Sequence, residues 1–78
     1  MYTFKIANDK GECTTFEHIE KVTYSIPALD GSKETVIEGD EIFNHRYQTS
    51  YDLHLFSKTE AFTVSKREIS IIQVIKEI

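Results

Sequence analysis

Ile69-Ser-Ile-Ile-Gln-Val-Ile-Lys-Glu-Ile78 is the most apolar stretch of this 78-residue chain, and its reading decides the fold. Two local signals conflict there. The preceding Ser65-Lys-Arg-Glu68 has the form of a capping box, in which a Ser hydroxyl and a Glu carboxylate satisfy the free N–H groups of a first helical turn. Against a helix, six of the ten residues 69–78 are Ile or Val. These β-branched side chains lose rotamer freedom in a helix and pack well on a pleated surface. Spacing does not separate the two, because Ile69, Ile72 and Ile75 share a helical face while Ile72, Val74 and Ile78 share a strand face. An internal echo does. Ile19-x-x-Val22-x-Tyr24 repeats Ile69-x-x-Ile72-x-Val74, and each follows a polar segment, Thr15-Phe-Glu-His18 or Ser65-Lys-Arg-Glu68. The first copy leads into the alternating strand Val22-Thr-Tyr-Ser-Ile26. The second is therefore read as a turn and a strand, with a C-terminal helix over 66–78 as the alternative.

The rest of the chain collects around these two ribs. Tyr2, Phe4 and Ile6 alternate with polar residues, the pattern of a half-buried strand. Asn8-Asp-Lys-Gly11 supplies turn chemistry, and Cys13-Thr-Thr-Phe16 pairs back. A kink at 17–20 tucks Ile19 inward before a strand from Lys21. Pro27 has no N–H and belongs at a strand end or on an edge. Asp30-Gly31 is a hairpin dipeptide, and Lys33 to Glu38 returns. Gly39 marks a bulge or corner, after which Glu41-Ile-Phe43 continues the strand. Residues 44–50 form the longest loop. Tyr51 to Ser57 alternates again, with Tyr51, Leu53 and Leu55 on one face and Asp52, His54 and Phe56 on the other. Lys58-Thr-Glu60 turns into a strand carrying Phe62 and Val64. Six to eight short strands with turns at this spacing describe an all-β domain, a small rolled antiparallel barrel or sandwich, with an SH3-like barrel as the first choice.

Length and composition set limits on function. A chain this short forms one domain, residues 1–78, with a small core. The net charge of −4 is uneven: residues 1–40 carry eight acids and four lysines, residues 41–78 five of each sign. An acidic first half argues against nucleic acid as the default ligand, since phosphate binding relies on Lys and Arg. Cys13 is the single cysteine; together with the lack of a signal-like N-terminus or an apolar run long enough to span a bilayer, it points to a cytoplasmic protein without a membrane partner.

No catalytic or cofactor motif stands out. His18, His45, His54 and Cys13 lack the spacings of a zinc site, and Asp52-x-His54 reads as a surface contact. Cys13 reads as a small buried hydrophobe. Glu38, Asp40 and Glu41 flank a bend, where acids are solvated. The chain is expected to be non-catalytic, with no cofactor and no metal.

The segment Asn44-His-Arg-Tyr-Gln-Thr-Ser-Tyr51 is more informative. His45, Arg46, Tyr47 and Tyr51, with His54 on the following strand, bring together the residue types that dominate protein–protein hot spots. The plain alternative makes Tyr47 and Tyr51 strand-end residues with wet hydroxyls and pairs Arg46 with a nearby acid. A second route to a partner is an open strand edge. The first and last strands carry few protective charges: Lys5 in one, Lys76 and Glu77 in the other. The expectation is a small protein-interaction module, an accessory factor or inhibitor, that binds a protein partner or itself as a homo-oligomer. The alternative is a small barrel that binds single-stranded nucleic acid through Arg46, Tyr47, Tyr51, His54 and Lys58.

Overall fold

The computed structural model describes residues 1–78 as seven strands, one short α-helix and one 3-10 turn. These are β1 (Tyr2–Ala7), β2 (Cys13–Ile19), β3 (Lys21–Ala28), β4 (Gly31–Glu38), α1 (Glu41–Asn44), β5 (Leu53–Phe56), β6 (Ala61–Val64) and β7 (Ile71–Lys76). They form two antiparallel sheets, a three-stranded one in the order β2-β1-β7 and a four-stranded one in the order β4-β3-β5-β6. The small all-β architecture expected from the alternation is present, built as two facing layers.

The C-terminal stretch is a turn and a strand, and the helical alternative over 66–78 does not form. Its capping signal is nonetheless used. The Ser65 hydroxyl accepts from the Arg67 N–H at 3.4 Å, and the Glu68 N–H donates to the Ser65 carbonyl at 2.9 Å, closing a single 3-10 turn over Lys66–Glu68. Ile69 then falls into the core, and the β-branched run continues as β7. The first rib has a parallel design. His18 takes a positive φ of 61° at an irregularity in the β1–β2 register, which turns Ile19 fully inward before β3 begins.

Period-two alternation assigns the faces. Phe4 and Ile6 point inward from β1, opposite Val74 and Ile72 of β7. Val22, Ile37, Leu53, Leu55 and Val64 answer from the other sheet. Cys13 lies opposite Ala7 on the outward face. It is exposed, contrary to the expected buried thiol, because the pairing of Phe4 with Phe16 sends the odd-numbered residues of this part of β2 outward. Pro27 sits opposite Ser32 in β4, while β5 pairs only with Lys21–Thr23. The missing N–H therefore falls where β3 has no second neighbour.

Two further expectations are corrected. Glu41–Phe43 is not a strand. Gly39 turns the chain at φ 62°, Ile42 N–H donates to the Gly39 carbonyl at 3.1 Å, and α1 drops Ile42 into the core with no exposed surface. Here burial of one Ile overrides the β propensity of the sequence. The first strand is also not an edge, since β1 is paired on both sides.

Ile42 connects α1 to a core of ten buried residues. Ile42→Ala is expected to lower unfolding free energy by about 2–5 kcal/mol, as for other buried Ile truncations. Urea denaturation would show it, and a loss below about 0.5 kcal/mol, the range of ordinary surface changes, would exclude α1 from the cooperative core.

Candidate functional site

The expected hot-spot residues do not form one surface. His45, Tyr47 and Tyr51 gather in an aromatic chain between the sheets. The Tyr51 ring stacks on Tyr24 with centroids 5.6 Å apart, and the Tyr24 hydroxyl meets His45 Nε2 at 3.2 Å. His45 lies edge-on to Tyr47 at 4.8 Å, and Tyr47 edge-on to buried Phe4 at 5.5 Å. The Tyr47 hydroxyl donates to the Ile42 carbonyl at 2.7 Å, satisfying an acceptor that α1 is too short to bond. Its pKa is raised well above that of a free tyrosine, first by burial and then by the neighbouring Tyr24 and Tyr2. Tyr47 is half-buried and braces α1 through this hydrogen bond.

Arg46 and His54 are not part of this aromatic chain. Arg46 is exposed and has no carboxylate within ion-pair distance, so the expected pairing with an acid is absent. His54 projects from the outward face of β5, with Nδ1 3.1 Å from the Thr63 hydroxyl of β6. Asp52, read as its surface partner, instead accepts from the Lys66 backbone N–H at 2.7 Å. Tyr51, Asp52 and His54 line a shallow cleft of about 330 Å³ with Ser25, Pro27 and Lys66, apart from the groove that His45 and Tyr47 line; the rings of Tyr47 and Tyr51 are packed against aromatic neighbours.

A different feature emerges at β7. One side of this strand pairs with β1. The Glu77 N–H donates to the Met1 carbonyl at 3.2 Å. Bonded pairs alternate in an antiparallel ladder, so the odd residues of β7 serve β1. The N–H and C=O groups of Ile72, Val74 and Lys76 then aim at the free edge. The 45–50 segment runs nearby but makes no backbone hydrogen bond to β7. Between them lies an open groove of about 410 Å³, whose walls include Phe43, His45, Tyr47, Ser70, Ile72 and Val74.

The other edges carry protective devices that discourage strand addition. The outer strand β4 bears Lys33, Glu34 and Glu38. The outer strand β2 bears Glu17 and His18 at its irregularity. The outer strand β6 has only four residues, and the unpaired end of β3 has Pro27. In contrast, β7 carries one charge, Lys76, whose Nζ is drawn back over the Phe43 ring at 4.6 Å. On its outward face Ile71 is 65% exposed and Ile75 36%. The apolar composition of β7 was visible in the sequence. Its edge position was expected together with that of the first strand, and of these two the strand order leaves only β7 open.

A polar tie anchors the end of β7. One Glu77 oxygen accepts from the Thr3 hydroxyl at 2.8 Å and the His18 N–H at 2.7 Å; the other meets His18 Nδ1 at 2.8 Å. The His18 N–H, the His18 ring and Thr3, in that order, hold the Glu77 carboxyl down at about 2. The hydrogen bond and charge of Glu77 raise the His18 pKa. Glu17, 3.9 Å from His18 Nε2, adds to that rise, and the positive N-terminus opposes it.

A second cleft, on the β2–β6 side, is also about 410 Å³ and has Ile6, Phe16 and Val64 among its walls. At its rim the Asn8 amide donates to Glu12 at 3.0 Å and Glu68 at 3.1 Å, tying the β1–β2 turn to the 3-10 turn. No cluster of three His, Cys, Asp or Glu side chains suited to a metal is present, and no helix is long and apolar enough to cross a membrane. No protein family, curated protein or solved structure matches this chain.

The Glu77 tie makes stability depend on pH in both directions. A lowered Glu77 pKa stabilises the fold above its ordinary value of 4.5, and that contribution is lost as pH falls toward about 2. A raised His18 pKa stabilises it fully below 6.5, and that contribution is lost as pH rises through the folded value. The melting temperature of wild type should exceed that of Glu77→Gln by the widest margin between those two ordinary values. Melting curves across pH would show the margin shrinking on both sides; a margin independent of pH would contradict the tie.

Proposed function

We propose that this protein is a small non-catalytic interaction module that docks an extended protein segment along β7. The observation that carries this reading is the contrast among the edges. β7 combines free backbone donors and acceptors, an apolar outward face and an adjoining groove, while every other edge is short, charged, kinked or broken by proline. Strand addition uses these elements: main-chain hydrogen bonds supply affinity, and alternating side chains supply selectivity. His45 and Tyr47 belong to this surface as groove walls, with Phe43 beside them. Arg46 is exposed on the same segment and is not among the groove walls.

Hydrogen exchange on the protein with its captured and identified partner tests the reading. The amides of Ile72, Val74 and Lys76 should gain protection on binding, while those of Gln73 and Ile75 are already bonded to β1. The double change Ile71→Lys with Ile75→Lys alters only exposed or half-exposed outward positions. It should abolish capture and leave the urea midpoint nearly unchanged. Protection confined to other strands, or capture unaffected by the two lysines, would overturn docking at β7.

A further inference from the structure

We infer that the segment added to β7 is β7 of a second copy of the same chain, paired antiparallel about a two-fold axis through Gln73. This rests on the reading of β7 as a docking edge and names its occupant. The strand Ile71-Ile-Gln-Val-Ile75 is nearly palindromic in chemistry about Gln73. That symmetry matters because a two-fold interface brings one surface against itself.

The free backbone groups restrict the register. They belong to the even-numbered residues, so a bonded antiparallel partner must set even residues opposite even residues. Placing Gln73 opposite its own copy meets this condition, with Ile72 bonding to Val74 of the second copy and Val74 to its Ile72. On the outward face Ile71 then lies beside Ile75 of the second copy, twice over, and the two Gln73 amides lie side by side. These are the closely approaching, non-bonded positions of an antiparallel pair. Two of the exposed isoleucines on each chain are thereby covered. On the inward face Ile72 and Val74 meet each other beside the groove.

Moving the register by two residues is worse. In one direction it places Ile71 against Glu77 and Ile72 against Lys76. In the other it sets Ile71 against Gln73 and shortens the overlap. Charge also selects the direction. Lys76, the one charge in the strand, faces Ser70 of the second copy in the antiparallel register, whereas an in-register parallel pair would stack Lys76 on Lys76. The result joins the two three-stranded sheets into one six-stranded sheet, with β2 as the outer strand at both ends. A single strand pair buries little surface, so a dissociation constant on the order of micromolar is expected.

Native mass spectrometry and sedimentation of the purified full chain test the pairing. Wild type should be a dimer at high micromolar concentration. Gln73→Lys and Gln73→Glu each place like charges across the axis and should each raise the dissociation constant about fivefold. An equal mixture of the two should recover the dimer as a mixed pair. In a Cys13→Ser background, Gln73→Cys should oxidise to a disulfide-linked dimer, because the facing positions are close enough for the bond. Ile71→Cys alone should not, but should cross-link when mixed with Ile75→Cys. A wild type that stays monomeric, or Gln73 charge variants that dimerise as wild type does, would overturn the self-pairing. The docking edge itself is judged separately: a monomer whose β7 amides become protected by a different protein would retain the edge and exclude the second copy.

Discussion

The pairing of β1 with β7 is the constraint on which the rest of the structure depends. It joins residues more than sixty positions apart and fixes the inward faces of both strands at once, with Phe4 against Val74 and Ile6 against Ile72. Because β1 also carries β2 on its other side, the three strands form a sheet whose inward face closes over the four-stranded layer. A shift of one residue would turn every apolar side chain of β7 to the opposite face. The Glu77 tie to Thr3 and His18 pins the end of this ladder, so register and the polar anchor support one another.

The same pairing leaves β7 exposed on one side. A sheet of three strands has two edges, and here one falls on the most apolar strand in the chain. Natural sheets usually blunt such an edge with charge, proline, a bulge or shortness. This chain uses each device elsewhere, on β2, β3, β4 and β6. The outward isoleucines of β7 contribute little to the core of an isolated chain, because they face solvent. A strand laid beside β7 would flank them, which is the physical reason the proposed docking is placed at this edge.

Around the groove, fold and site are not separable. Tyr47 supports α1 through the Ile42 carbonyl and packs on Phe4, while its ring also lines the groove. A side chain held in this way presents a rigid wall at small entropic cost, as interface tyrosines do. It also means that replacing Tyr47 disturbs the core, so exposed Ile71, Gln73 and Ile75 isolate interaction from stability more cleanly.

Much of this architecture was legible in the residues. Alternation in Tyr2–Ile6, Val22–Ile26 and Tyr51–Ser57 reflects the two faces of a pleated strand, and the β-branched run at 69–78 favours a strand for local steric reasons. The capping signal at Ser65 and the turn residues at Asn8 and Asp30 also act locally. The sequence therefore determined the all-β class, the turns at Asn8 and Asp30 and the inward faces of the alternating strands, because each depends on a residue and its near neighbours. Tertiary structure alone decided that Glu41–Asn44 becomes a helical turn, since only the space between the sheets could claim Ile42. It bonded the hydroxyl of Tyr47 to the Ile42 carbonyl, set Tyr51 and His54 around a different cleft from His45 and Tyr47, and exposed Cys13. It also made β1 a central strand, so that of the two strands expected as open edges only β7 is one. Strand order is set by which distant surfaces bury each other best, and no local pattern encodes that choice.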